Sequence, residues 1–343
     1  MSKLEKIITQ AWYQNKKWIL IFYPLELFFS LAQKIRRFFY NTGLFKSYRA
    51  DVPVIVVGNI LVGGTGKTPL VMELVSVLKS AGYSPGIITR GYGGECKKYP
   101  LVVNKQSTAR EVGDEAILLY RNTQAPVVVD SNRKRSANKA TQLGCDVIVS
   151  DDGLQHLSLK RDIEIVVFDG QRKLGNEHLL PVGPLRENTN RLNSVDFIFI
   201  NGKQNISLLQ QWKFKSFRLD IKPVTLVDIS SKKERGIHSL KNKKIHALVA
   251  IGNPLRFIQT LKFLGADVLP HVFDDHYFFT INDIPKDKLP VIVTEKDAVK
   301  IEVLPLTGIE YLKISAQLPE AFKIQLLKRL SHLISFNKNR LEK

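Results

Sequence analysis

Cysteine is almost missing from this sequence. The two present, Cys96 and Cys145, are too few for a disulfide framework and lack metal-ligand spacing, so folding in a reducing cytosol is expected. Acidic residues are also scarce: 32 Asp and Glu face 51 Lys and Arg, leaving a formal net charge of +19. That excess implies an anionic partner, whether nucleic acid, a membrane surface or a phosphorylated substrate, and is silent about the fold. No RRM, KH, zinc-finger or helix-turn-helix signature accompanies the charge, so nucleic acid is not expected. The guanine motif NKxD is absent too, which counts against a GTPase. Nor is there an apolar run long enough to span a bilayer. The stretch from Trp18 to Ala32 covers 15 residues and holds Pro24 and Glu26, whereas a crossing helix needs about 20. No small-residue cleavage site follows it, and Lys16, Lys17, Lys34, Arg36 and Arg37 flank it on both sides, unlike a signal peptide.

Residues 1–50 carry nine basic residues against two Glu. "KIRRFFY" interleaves these charges with aromatics, so the expectation is a basic amphipathic segment lying in a membrane interface, with Trp18, Phe22, Phe28 and Phe29 on its lipid side. A core-packing helix with solvated lysines is the alternative.

At 343 residues two domains are more natural than one or three. From residue 53 short apolar runs alternate with helical spacing: "VPVIVVGN", "KTPLVMELVSVLKSAGY", "PGIITRGYGG", "EVGDEAILLYRN", "APVVVD", "NRKRSANKATQLG" and "CDVIVSDDG". This predicts an α/β fold, a P-loop NTPase-like doubly wound parallel sheet over residues 51–224, with sites at the carboxyl ends of the strands. A second, smaller α/β domain is expected over 225–343. "SFRLDIKPVTLVDI" reads as two strands broken at Pro223, "IGNP" as a structural loop, and the tail with Phe322, Leu326, Leu330 and Leu333 as a terminal helix packed on that second domain.

"GNILVGGTGKTPL", residues 58–70, falls between a strand and a helix, the context a phosphate-binding loop requires. Leu61 holds the place of the usual first glycine. Gly63, Gly64 and Gly66 still allow backbone N–H groups to turn inward around a phosphate. Lys67 would reach the terminal phosphates, Thr68 would bind Mg²⁺, and the helix N-terminus would add positive charge. The nucleotide-binding stretch is thus Leu61, Val62, Gly63, Gly64, Thr65, Gly66, Lys67 and Thr68. It is much like the deviant P-loops whose signature lysine falls where Val62 stands here. "VIVSDDGLQH" delivers Asp151 and Asp152 to a strand end as a Walker B element would, for Mg²⁺; a turn or helix cap is the alternative, and the P-loop some eighty residues upstream favours the metal role. Asp114 in "EVGDEA" reads as a simple N-cap, and nothing in the spacing pairs it with His276 of "DDHYF".

The ordered set "VGNILVGGTGKTP", "ITRGYGG", "VGDEA", "DDGLQH", "PVGPLRE", "DDHYF" and "VTEKDAVK" resembles the tetraacyldisaccharide 4′-kinase family of the lipid A pathway, over nearly the whole chain. The resemblance implies ATP and Mg²⁺ as cosubstrate and cofactor, and an acylated disaccharide lipid on the anionic cytosolic face of the inner membrane as the partner, with no obligate protein partner. It implies Asp114 as the base for the sugar hydroxyl with His276 orienting it, Lys67 on the ATP phosphates, and Thr68, Asp151, Asp152 and Glu187 at the metal. Asn59, Arg90, His156 and Arg186 would line the phosphate or substrate site. Gly94 departs from a family position that is often arginine, a charge contact there then being either absent or supplied by Arg90 or Lys97, and Tyr277 stands where a second histidine is common. Pairing Asp114 with His276 would require the domains to close on each other.

Overall fold

The computed structural model describes residues 3–96, 98–202 and 206–341; Lys97 lies outside them. Short β-branched runs with both faces apolar become buried parallel strands. β1 (Val54–Gly58), β2 (Pro85–Thr89), β3 (Leu101–Val102), β4 (Val127–Val129), β5 (Val147–Asp151), β6 (Ile163–Asp169) and β7 (Phe197–Asn201) stand in the order β3-β4-β2-β5-β1-β6-β7. All pairs are parallel except that of β3 with β4. Strand periodicity divides β1 between two layers: Ile55 and Val57 join one apolar cluster, Val54 and Val56 the other.

The helices are α1 (Lys3–Tyr13), α2 (Tyr23–Asn41), α3 (Lys67–Ser80), α4 (Ala109–Val112), α5 (Asp114–Thr123), α6 (Arg133–Gln142), α7 (Pro254–Phe263), α8 (Glu295–Ile301) and α9 (Glu320–Leu341). α3 buries Leu70, Leu74 and Leu78, one per turn, against the sheet.

β8 (Ser216–Asp228) joins two halves of one thirteen-stranded sheet. Its first residues pair in parallel with β7, Ser216 to Leu219 lying against Ile198 to Asn201. From Asp220 onward it runs antiparallel to β13 (Ile309–Gln317). β10 (Lys244–Val249), β11 (Asp267–Val272) and β12 (Val291–Thr294) complete the order β11-β10-β12-β13, and β9 (Glu234–Gly236) pairs with β8 at its side. The break expected at Pro223 does not occur: β8 runs straight through. A register shift between Lys313 and Ile314 accommodates the proline, which has no N–H for the ladder.

α9 also departs from expectation. Phe322, Leu326 and Leu330 are fully buried, but on the first sheet, where Phe322 meets Phe197, Phe199 and Phe217 with ring centroids 4.7 to 5.5 Å apart.

At the N-terminus a 3-10 turn (Lys17–Phe22) leads into α2. Together they make 25 helical residues, by length and composition enough to cross a bilayer, which the shorter apolar run did not suggest. α2 is amphipathic with its polar side inward. Glu26, only 8% exposed, accepts from the Leu179 backbone N–H at 2.8 Å and contacts His178 Nδ1 at 2.9 Å. Gln33 donates to the Arg186 carbonyl, Arg36 to that of Gln155 at 3.1 Å, and Arg37 to Glu187 Oε2 at 2.5 Å. Ile21 and Phe28, 76% and 73% exposed, point away with Trp18, Leu25, Leu27 and Leu31. Phe29 is an exception to the expected lipid side, packing inward beside the second apolar cluster.

Candidate active site

The loop after β1 turns at Gly63 (φ +103°) and Gly66 (φ +97°), conformations that favour glycine. A Cβ on Gly66 would stand 2.4 Å from Asn201 Nδ2, which donates to the Thr65 carbonyl at 3.0 Å. Asn59 is buried and donates to the Gly63 carbonyl at 3.3 Å, and α3 starts at Lys67. Leu61 is tolerated because the chain there is extended, bridging Leu185, while the Val62 N–H donates to the Pro184 carbonyl at 2.9 Å. The cradle is therefore the second half of the loop only.

β5 lies next to β1 in the sheet, with Val57 opposite Asp151, which brings both acids beside the loop. Lys67 Nζ is 3.3 Å from Asp152 Oδ1, and Arg186 Nη1 is 3.3 Å from Asp152 Oδ2. Burial raises the Asp152 pKa, but these two cations outweigh it and hold the group below the usual carboxylate range. Asp151 is fully buried, its Oδ1 without a hydrogen-bond partner; burial, Glu115 and Asp152 push its pKa up to about 7. Arg133, also buried, donates to the Asp151 carbonyl at 3.1 Å, and desolvation pushes its pKa down to about 10. His156 is pushed down to about 4 by burial and by Arg133 and Arg90. Glu187 is buried in a different network: Arg37, Gln155 Nε2 at 2.8 Å and Arg191 take its two oxygens. Arg90 is exposed at the end of β2.

His276 Nδ1 lies 3.1 Å from both oxygens of Asp114. The pair crosses the halves of the molecule and is already formed, so no further closure is needed to make it. Burial raises the Asp114 pKa, yet the hydrogen bond from His276 and the charges of Lys296 and Lys300 more than offset this and keep it below the usual carboxylate range. Lys296 Nζ and Lys300 Nζ approach Asp114 Oδ2 to 3.9 and 3.7 Å. Glu115 anchors Lys296 at 3.0 Å; burial lowers the Lys296 pKa, and Glu115, Asp114 and Asp275 together lift it above normal. His276 itself has φ +61°, a left-handed backbone costing ~1–3 kcal/mol for a non-glycine, and its ring rests on Tyr92, centroids 4.8 Å apart. Tyr277 turns away, stacking on Phe273 and donating to Asp283 at 3.2 Å. Gly94 has no room for arginine: a Cβ would sit 2.6 Å from the Glu111 carbonyl.

Sequence reasoning missed Lys296 and Lys300 as partners of Asp114. Their signal was present: four residues apart on one helix, they share a face. It also missed that "IGNP" abuts the P-loop, a Cβ on Gly252 lying 3.0 Å from the Gly64 N–H nitrogen.

A half-wrapped phosphate loop at a strand end, beside a second strand tipped with acids and with a carboxylate whose histidine partner reaches in from the other half, defines the class: a P-loop phosphotransferase. The model of the family "Tetraacyldisaccharide-1-P 4'-kinase" matches residues 18–331, and the chain belongs to this family. It is 41% identical over 327 residues to the tetraacyldisaccharide 4'-kinase of Psychromonas ingrahamii, with 94% of this chain and 98% of that protein covered. It is 42% identical over 325 residues to that of Vibrio cholerae, covering 92% of this chain and 94% of the relative. A crystal structure of LpxK from Aquifex aeolicus in complex with ATP superimposes with a TM-score of 0.76 at 26% identity, over 91% of this chain and 99% of that one.

Proposed function

We propose that this chain transfers the γ-phosphoryl group of ATP to the 4′-hydroxyl of a tetraacylated glucosamine disaccharide 1-phosphate, in lipid A synthesis, at the cytosolic face of the inner membrane. The observation that carries the reading is the Asp114–His276 pair at 3.1 Å. An alcohol is too weak an acid to ionise at neutral pH, so a fixed carboxylate accepts its proton as the bond to phosphorus forms. His276 donates Nδ1–H to Asp114 and orients it. Lys67 and Arg186, both on Asp152, supply the positive charge that the transferred group needs. Neutral His156, with Asn59 and Arg90, is a further candidate for phosphate or substrate contact.

The donor set fits Mg²⁺: Thr68, Asp151 and Asp152 are hard oxygen ligands, and Asp151 Oδ1 is buried without a partner. Thr68, Asp151 and Asp152 would hold the ion, which would supply charge neutralisation for the phosphates. Glu187 is the weaker candidate, since Arg37, Gln155 and Arg191 already engage it. The outward apolar face of α2, rimmed by Lys34 and Arg36, suits a monotopic seat on an anionic leaflet, where each basic residue contributes about 1 kcal/mol. On this reading residues 1–50 are the membrane segment, 51–224 the kinase core and 225–343 the smaller domain that supplies His276.

Purified protein with detergent, Mg²⁺-ATP and a 1-phosphorylated lipid disaccharide is expected to yield a product heavier by one phosphoryl group. Asp114→Asn should lower kcat by ~10²–10⁴-fold with Mg²⁺-ATP affinity retained by calorimetry; undiminished turnover would remove Asp114 from the base role. Because its folded pKa is depressed, Asp114 stays ionised through neutral pH. Protonation of Asp114 should therefore limit kcat/KM only below about pH 4, while a limb near neutrality belongs to Asp151, whose buried carboxyl is pushed up to about 7.

A further inference from the structure

Val62 leaves the phosphate loop without the cation that deviant P-loops carry at this place. A guanidinium arrives there through space instead. Arg172 follows β6, the neighbour of β1, and its backbone is pinned by Asp169, whose Oδ1 accepts from the Gln171 N–H at 2.9 Å and the Arg172 N–H at 3.4 Å. Its Nη1 stands 2.8 Å from where a Cβ on Gly63 would be, and its Nη2 donates to the Gly252 carbonyl at 3.0 Å. Its Cζ lies 5.5 Å from the ring centroid of Tyr13 in α1. Val62 itself packs beside Ala11, Trp12 and Ile19 of the N-terminal segment. One side chain thus touches the N-terminal helices, the phosphate loop and the second half of the sheet.

Resting on the nucleotide reading of this loop, we infer that Arg172 is a positioning residue for the nucleotide polyphosphate: it sets the Gly63–Gly64 edge, adds positive charge to the cradle and ties nucleotide affinity to the seating of the N-terminal helices. A lysine cannot do the same, because only the planar fork reaches Gly252 and Gly63 together while lying against an aromatic ring.

Calorimetry of Mg²⁺-ATP binding to the full chain, with and without phosphatidylglycerol vesicles, tests this. Arg172→Ala should weaken binding about tenfold, the loss expected for one charged hydrogen bond, with kcat at saturating ATP little changed. Arg172→Lys should recover only part of that affinity. Tyr13→Leu, which keeps the charge and guards against a misfolded Arg172→Ala, should weaken binding about threefold, as for the loss of one cation–π contact. Vesicles should tighten ATP binding to the wild type but not to Arg172→Ala or Tyr13→Leu. Wild-type affinity in Arg172→Ala, or an equal vesicle effect in all variants, would overturn the proposal. Phosphoryl transfer by the wild type, followed in parallel, reports on the kinase reading separately: its failure alongside Arg172-dependent ATP binding would count against the lipid acceptor alone.

Discussion

α2 and α9 stand near opposite ends of the chain and are written in similar letters, both basic, both rich in Leu and Phe, yet they fold inside out with respect to each other. α9 buries Phe322, Leu326 and Leu330 against an aromatic face and leaves Lys328 and Arg329 in solvent. α2 turns Glu26, Gln33 and Arg37 toward loops whose N–H, carbonyl and carboxylate groups need partners, and leaves Leu25, Phe28 and Leu31 outside. Amphipathic spacing fixes which residues share a face; what the face meets is decided by the surface it lands on.

The contrast can be broken most forcefully at α9. Phe322→Ala should cost about 3–5 kcal/mol of stability, as for a deleted core aromatic, measured by urea denaturation, with vesicle binding per folded molecule unaltered. A loss under 1 kcal/mol would mean that α9 is not a core helix. Next comes Glu26→Ala, which strips a buried acceptor from the Leu179 N–H and His178; about 1.5–3 kcal/mol is expected for a charged hydrogen bond, with hydrogen exchange of α2 accelerated before that of the sheet. Phe28→Ala sharpens the comparison from the other side. Stability should move by less than about 0.5 kcal/mol, as for a surface change, while affinity for anionic vesicles falls roughly tenfold or more from the lost apolar transfer. Destabilisation comparable to that of Phe322→Ala would show that Phe28 faces protein.

What could be read in advance was local. "GGTGKT" and "SDDG" each sit at the end of a single strand, so strand, loop and helix appear as consecutive letters, and adjacency of β1 and β5 does the rest. Family resemblance, not spacing, pointed to His276 as the partner of Asp114, because 162 residues separate them and only the folded sheet makes them neighbours. Arg172 escaped notice for the same reason: a lone basic residue in a chain with 51 of them carries no signal until its partners are known, whereas Lys296 and Lys300 showed a shared helix face but not the carboxylate it meets. The destination of α9 was misjudged because its own pattern is equally compatible with either half, and Pro223 because the skipped residue beside it, Val224 of β8, shows only in the pairing with β13.

One consequence follows from β8 passing unbroken from the first half-sheet to the second. A covalent tether would let the two lobes wander and find each other by chance. A shared, hydrogen-bonded ribbon instead gives them a common spine, so that Asp114 and His276 meet without the entropic toll of a search.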